Sequence, residues 1–406
     1  MSTPALLGGK PVREKPFPAY PQYGEEERSA VLRVIESNVL CSEVGKEVAA
    51  FEHAFAEYLG VKHAVAVVNG TTALHVALAA CLVGVADEVI VPPYTFIATA
   101  SAVVNQSAVP IFADIEPKSL GLDPLEVEKK ITDRTKAMIP VHMNGYPCDM
   151  DSLLAVAEKH GITVIEDCSH AHGAWHRGRR CGAMGRIGTF SFQHKKNMSL
   201  GEGGIAVTDD DELAERMRGF RSFGGTEMVY NYRMSEFHAA IGVERLKKLD
   251  TMNDVRRANA AFLDKSFDGY PFAQALSLRP ECVGVYYNYV LRYDEEAARL
   301  PRSEFIRAVE AEGVPLPLVY SPVHLKQVFV RQNAYGHGHP FSHPAYGGKV
   351  SYADESHPVS EATCGRVNLE MKVHPPSGEA EMADIVRAFE KIADNIDAVR
   401  NHLGRS

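Results

Sequence analysis

The chain has 406 residues, 45% hydrophobic and 23% charged, with 43 Lys and Arg against 52 Asp and Glu and a formal charge of −9. That length exceeds one small core and suits a large domain with a smaller partner, in an ordinary globular composition. No long basic run marks a nucleic-acid surface and no apolar run reaches membrane-span length, so neither partner is expected and a soluble cytoplasmic protein is.

The opening, "MSTPALLGGKPVREKPFPAYPQY", lacks a signal-length apolar stretch and reads as an arm. From about residue 50 to 210, short apolar runs alternate with helical patterns: "AVAVV" (64–68), "VIVP" (89–92), "PIFA" (110–113), "AMIPV" (137–141), "TVIED" (163–167), "TFSF" (189–192) and "IAVT" (205–208). Nearly continuous apolar runs are what strands buried on both faces look like. Helices such as "TTALHVALAACL" and "DSLLAVAEKHG" lie between them, the latter with Asp at its start and Gly at its end. The alternation predicts an α/β fold, a mostly parallel seven-stranded sheet covered by helices, in a large domain over 1–260 that includes the arm.

A charged helical stretch (235–267) leads out of this region, and the texture then changes. "VYYNYVLRYD" reads as a strand, "PRSEFIRAVEAEG" as a helix and "EMADIVRAFEKIADNIDAVRNHL" as one long terminal helix, together a smaller α+β domain over 261–406. "YGHGHPFSHPAYGGK" (335–349) reads as a loop. His337, His339 and His343 have a spacing that zinc could use, but Gly- and Pro-rich surface loops collect such residues; no metal is expected, and a functional loop there would cover a site. The seven cysteines form no C-x-x-C pair and read as reduced thiols.

Four features fall at strand ends, where ligands of parallel sheets gather. Asp167 ends one strand and can make a charge-assisted bond to a cation. Lys195 and Lys196 follow "GTFSF"; in extended chain only one of two neighbours can face the site, and a desolvated lysine amine is a nucleophile. In "VVNGTTALHVAL" a helix begins at a Gly-Thr-Thr turn that suits an anion, with Thr71 and Thr72 adding hydroxyls. Tyr94 and Phe96 in "VPPYTFIATA" could stack on a flat ligand. Each taken singly has an ordinary structural explanation. Together they are what a phosphorylated, planar, cationic aromatic that forms an imine with lysine requires, and pyridoxal 5′-phosphate (PLP) is such a ligand.

Nearly the whole chain resembles the DegT/DnrJ/EryC1/StrS family, PLP-dependent sugar and cyclitol aminotransferases of the aspartate aminotransferase fold (fold type I). The resemblance rests on "FEHAFAEYLGVKHAVAVVNGTTALHVAL", "VIVPPYTFIATASAVV", "PVHMNGYPCDMDSL", "VIEDCSHAHGA", "GEGG" and "NYRMSEFHAAIG". It implies that the PLP lysine stands five residues after the Ser of the "SF" pair and five before "GEGG", which selects Lys196 over Lys195. It also implies Asp167 at the pyridinium nitrogen, Phe96 stacked on the ring, and Gly70, Thr71, Thr72 and Ser191 at the phosphate. Asn231 would reach the phosphate of the other subunit's cofactor in a homodimer with shared active sites, and His324 would line the substrate pocket. His170 stands where many members have glutamine, near the cofactor's phenolic oxygen. Histidine there, with "FPAYPQY" and "VHMNGYPCDMD", resembles the branch of 3-amino-5-hydroxybenzoate synthases and cyclitol aminotransferases.

The expected activity is transfer of an amino group from L-glutamine or L-glutamate to a keto cyclitol or keto sugar in secondary metabolism, as in aminoglycoside-like antibiotics. The alternative is a dehydratase similar to 3-amino-5-hydroxybenzoate synthase. A sugar 3-dehydratase would have histidine in place of Lys196, and a binding protein that merely retains the fold has no need of both Asp167 and Lys196.

Overall fold

The seven apolar runs become the seven strands of one sheet in the computed structural model, which describes residues 2–223, 229–317 and 319–403. They are β1 (His63–Val67), β2 (Glu88–Val91), β3 (Val109–Phe112), β4 (Thr135–Met138), β5 (Thr163–Asp167), β8 (Ile187–Ser191) and β9 (Gly204–Thr208). The short strands β6 (Trp175–His176) and β7 (Arg179–Arg180) pair with each other between β5 and β8. The order across the sheet is β1-β9-β8-β5-β4-β2-β3, and only β9 runs against its neighbours. Asp167 is registered with Thr189 and Ser191 with Gly204, so the carboxyl ends of β5 and β8 lie side by side.

Helices α1 (Glu25–Ser37), α2 (Glu47–Leu59), α3 (Gly70–Ala80) and α4 (Ala98–Asn105) flank this region. α3 is buried on nearly every side, which is why its sequence is apolar all round. Asn69 caps it, with its side chain accepting from the Thr72 N–H at 2.9 Å. The helix Met150–His160 starts one residue before Asp151, and its cap is Asp149, which accepts the Ser152 N–H; Gly161 closes it at φ 66°. The expected single terminal helix is two, Glu379–Asp394 and Ile396–Leu403. Asn395 leaves helical dihedrals there (φ −119°, ψ 18°) and its Nδ2 donates to the Lys391 carbonyl at 2.9 Å.

Strands β10 (Ala273–Ala275), β12 (Tyr289–Tyr293) and β13 (Asn368–Met371) form a second, antiparallel sheet, while β11 (Cys282–Val283) pairs with β6. This sheet has its own core, with Phe305, Leu369, Met371 and Phe389, and Leu6, Leu7, Val12 and Phe17 of the arm press on it. A small third core joins Tyr94, Val141, Met143 and Tyr146 from the carboxyl edge of the main sheet to Leu276 and Val290. The chain then returns to the main core through Val323, Phe329, Phe341, Tyr346 and Tyr352. Residues 335–349 contain neither helix nor strand. No helix among the described residues is long and apolar enough to cross a membrane.

Candidate active site

A cavity of about 450 Å³ opens where the carboxyl edge of the main sheet meets Tyr287, just before β12, and Tyr320, beyond it in the chain. Its floor comes from strand ends. After β1 the chain enters α3 through Asn69, Gly70 and Thr71, all of which line the cavity. Nothing among the described residues takes the N–H groups of Gly70 and Thr71, as befits the first turn of a helix. A Cβ on Gly70 would come within 2.5 Å of the Ser191 Cβ, so only glycine lets α3 close on the end of β8.

Asp167, 4% exposed, ends β5 inside the cavity. Its Oδ2 accepts from the Thr99 hydroxyl at 3.0 Å and its Oδ1 from the Ser169 N–H at 3.1 Å. Thr99 in turn lies 2.9 Å from the Thr95 hydroxyl. These contacts fix the rotamer of the carboxylate.

Past β8 the chain makes a tight turn, closed by the Lys196 N–H on the Gln193 carbonyl at 2.8 Å. The two neighbouring lysines diverge. Lys196 is 9% exposed, and its Nζ lies 5.2 Å from the Tyr287 ring centroid. Lys195 is exposed at the cavity mouth. The turn is held from behind by the arm. Tyr20 Oη lies 3.0 Å from the Lys196 carbonyl and 2.7 Å from that of Asn197, and it accepts from Arg256 at 3.0 Å. Burial pulls the Lys196 amine down from 10.5 to about 8, against the opposing pull of the Asp167 charge.

Of the residues singled out from sequence, Gly70, Thr71, Phe96, Asp167, His170, Ser191 and Lys196 all line this one cavity. Phe96 is 52% exposed with its ring 5.8 Å from that of Tyr320, whereas Tyr94 is wholly buried with its hydroxyl on Glu370. Three residues are not brought in. The Thr72 hydroxyl donates to the Asn69 carbonyl at 2.8 Å, inside its own helix cap. His324 is buried against His357, 4.6 Å between centroids, and burial with that neighbour pulls it down to about 4; Tyr320, four residues earlier, lines the cavity instead. Asn231 is exposed and bridges to Ser222.

Sequence reading missed the wall. Tyr287 and Tyr320 line it, and Lys372 lies behind, its Nζ 3.8 Å from the Tyr287 ring centroid. Burial and the nearby Lys196 pull Lys372 down to about 7, while Glu370 opposes them. An aromatic in a strand-like run such as Tyr287 gives no signal of this kind in the sequence, whereas Thr95 and Thr99, which orient Asp167 and were also missed, are spaced by four across the start of α4.

In 335–349, His339 Nε2 lies 3.0 Å from the Ser107 hydroxyl and His343 Nδ1 accepts the Ala345 N–H at 3.2 Å, and no residue of that stretch lines the cavity. His142, Glu166 and Cys168 place possible ligand atoms close together among the described residues. Glu166, however, already accepts the N–H groups of Gly182, Met184 and Gly185 and faces His142 Nε2 at 3.0 Å, which makes it the buried anchor of the turn before β8.

Residues 21–351 match the model of the DegT/DnrJ/EryC1/StrS aminotransferase family. The chain is 36% identical to the L-glutamine:2-deoxy-scyllo-inosose aminotransferase of Streptoalloteichus tenebrarius, over 96% of this chain and 97% of that protein. Among solved structures, an aminotransferase from Psychrobacter cryohalolentis superposes with a TM-score of 0.85 at 32% identity, covering 94% of this chain and 100% of that one. A 3-amino-5-hydroxybenzoic acid synthase superposes with a TM-score of 0.81 at 30% identity, covering 95% and 100%.

Proposed function

The chain belongs to the DegT/DnrJ/EryC1/StrS aminotransferase family, and from that premise we propose that it moves the amino group of L-glutamine or L-glutamate onto a keto cyclitol or keto sugar in the assembly of an aminoglycoside-like product. It is a PLP-dependent aminotransferase with a fold type I architecture. The observation that carries the residue assignment is the buried Lys196 amine, held beside Asp167 in the cavity at the sheet edge.

The residues present fit the cofactor. At one end, the unclaimed N–H groups of Gly70 and Thr71 and the Ser191 hydroxyl make an anion cradle of phosphate character. In the middle, Asp167 offers a carboxylate whose orientation is fixed by Thr99 and Ser169. At the other wall, His170 Nε2 is buried with no partner among the described residues. In this reading Ser191, Gly70 and Thr71 hold the phosphate, Asp167 holds the proton of the ring nitrogen, and Phe96 covers a ring face.

PLP, when bound, supplies an electrophilic carbon for the amine and a ring that accepts electron density from the substrate carbon. The chain supplies position and proton movement. Lys196 Nζ holds the cofactor between turnovers, then takes the proton from the donor's α-carbon and returns one on the product side, and the same atom works in reverse for the acceptor. An amine lowered to about 8 has a usable free-base fraction near neutral pH, as that role requires. Asp167 opposes any further fall by its charge and so couples the two groups.

The keto cyclitol is favoured as acceptor because the curated relative in Streptoalloteichus tenebrarius acts on one with glutamine as donor. Residues 1–260 would then hold the cofactor and 261–406 close over it. Two copies would pair, supported by the exposed Asn231 and by the apolar side chains that α1 and the turn after it leave in solvent: Leu32, Ile35, Leu40 and Val44. The working site would be the cytoplasm.

The test uses L-glutamine labelled with nitrogen-15 at the α-amino group and 2-deoxy-scyllo-inosose as acceptor. The label is expected in the cyclitol amine. Failure of label transfer from both glutamine and glutamate to keto cyclitols and nucleotide keto sugars would overturn the reading, and loss of water from an aminoshikimate instead would select the dehydratase alternative.

A further inference from the structure

His170 has one ring nitrogen accounted for and one not. The Asn144 N–H donates to Nδ1 at 3.4 Å, while Nε2 has no partner among the described residues although His170 is only 3% exposed and lines the cavity. A neutral imidazole carries one proton, and the nitrogen that accepts a hydrogen bond is the one without it.

The position of that N–H is heavily constrained. Asn144 sits in the turn Met143–Gly145 with left-handed dihedrals (φ 56°, ψ 12°), which Asn tolerates better than most residues. Its side chain is saturated: Nδ2 donates to the Tyr94 hydroxyl at 3.0 Å and to Glu370 Oε1 at 3.1 Å, and Oδ1 accepts from Asn288 at 3.0 Å. Glu370 is itself buried and also bonded to Tyr94 and Asn288. A Cβ on the following Gly145 would come within 2.8 Å of the Tyr286 nitrogen and 3.0 Å of the His170 carbonyl, so the turn is wedged between His170's own backbone and the chain entering β12.

The ring face is held as firmly. Tyr287 stacks on His170 at 3.9 Å and 8°. Lys372 Nζ lies 3.8 Å from the same Tyr287 centroid and donates to the Tyr287 carbonyl at 3.3 Å. Two groups that close to one ring cannot share a face, so Tyr287 is sandwiched between imidazole and ammonium.

We propose that His170 is a fixed neutral hydrogen-bond donor on the cavity wall, its proton kept on Nε2 by the Glu370–Asn144 lock, and that Asn144 and Glu370 are positioning residues for the reaction. The inference deepens the proposed function and rests on it for the claim that the donor serves catalysis. The recipient is an oxygen acceptor on the bound ring or on the substrate. The groups facing His170 are Lys196 and Lys372 on two sides, His172 two residues on, Asp167 at the end of β5, and the Tyr287 and Tyr320 hydroxyls. Burial and the two lysines pull the imidazole well below its ordinary range, which matches a group that stays uncharged through both half-reactions.

The test is nitrogen-15 histidine spectroscopy of the full chain loaded with PLP and without it, from about pH 6 to 9, the range in which an ordinary histidine titrates or has just done so. His170 is assigned with His170→Gln. The expected result is an unprotonated Nδ1 and a protonated Nε2 throughout that range. A proton on Nδ1, or titration within the range, overturns the proposal, and this wild-type spectrum decides whether or not any variant folds. Asn144→Gly keeps the left-handed turn and its N–H but removes the lock. It should give mixed tautomers and a fall in kcat of about tenfold, the size that losing an orienting hydrogen bond has at other sites, with KM for glutamine nearly unchanged. Unchanged tautomers in Asn144→Gly and in Glu370→Gln would remove the lock from the account. The spectra read His170 whether or not amino transfer occurs, so failure of the proposed function registers separately, in the label-transfer experiment.

Discussion

The floor and the wall of the cavity are built in different ways. On the floor each chemical group is delivered by one strand end: Asp167 closes β5, Ser191 closes β8, and Gly70 and Thr71 begin the helix after β1. Its groups are held partly by neighbours in sequence, as Ser169 on Asp167 and Gln193 on Lys196, with single supports from Thr99 and Tyr20. On the wall, Tyr287, Glu370 and Lys372 belong to the second sheet and its flanks, and they are held by contacts that span the chain; Asn144 and Glu370 are 226 residues apart. A floor residue is therefore a single reacting or binding group on a rigid frame, whereas a wall residue is one member of a network whose other members suffer when it is removed.

That contrast predicts unequal losses. Lys196→Ala should be the most damaging change, removing the amine proposed to move the proton and lowering kcat by roughly a thousandfold or more in a glutamine half-reaction assay. Asp167→Ala should follow, with a loss of about a hundredfold in turnover, because a preoriented charge opposite developing charge is the larger electrostatic contribution in such sites. Asp167→Asn sharpens the point through pH. The Asp167 charge raises the Lys196 pKa, so its loss should shift the pH dependence of cofactor capture by Lys196, expected to rise through about pH 8 in the wild type, to lower pH. A shift to higher pH would contradict the coupling.

Smaller effects should come next. Thr99→Val removes the hydroxyl that donates to Asp167 and should weaken PLP retention by about tenfold in equilibrium dialysis, in line with the ~1.5 kcal/mol of a hydrogen bond to a charged group. Lys372→Met removes a cation from the far side of Tyr287 and should raise the His170 pKa, read by nitrogen-15 spectroscopy, with turnover falling only about threefold, as for a group outside the cavity. Lys195→Ala is the smallest, within about twofold in kcat, because removing an exposed lysine side chain from the cavity mouth costs little.

The same contrast governs stability against pH. The Lys196 pKa is lowered in the folded chain from 10.5 to about 8, so the folded state releases this proton first. Between those values the unfolded chain binds more protons, and this one group makes stability rise with pH across that window in the PLP-free protein. Below about pH 8 both states are protonated and the full cost of the buried ammonium is present.

How much of this was legible in the sequence follows from where each region gets its order. The strands of the main sheet are buried on both faces, so they announce themselves as apolar runs, and the chemistry at their ends follows at once: Asp167 after "VIE", Lys196 after "SF". Even there, Thr72 was placed at the phosphate because its hydroxyl lies in the right turn, whereas the Asn69 cap takes that hydroxyl. The wall gave no comparable signal. In "NLEMKVH" the charged residues alternate with apolar ones as they would on a solvent face, and only closure against Tyr94 and Tyr287 buries Glu370 and half-buries Lys372. Asn144 looks like any turn residue until its four partners are seen together.

The central claim is that Lys196, and not its neighbour, is the amine that holds PLP and moves the proton. It is tested most directly by absorbance of wild type, Lys196→Ala and Lys195→Ala with PLP, before and after L-glutamine without an acceptor. Wild type and Lys195→Ala should show an imine band that converts to the pyridoxamine band on adding glutamine, and Lys196→Ala should show neither. An imine band retained in Lys196→Ala and lost in Lys195→Ala would contradict it.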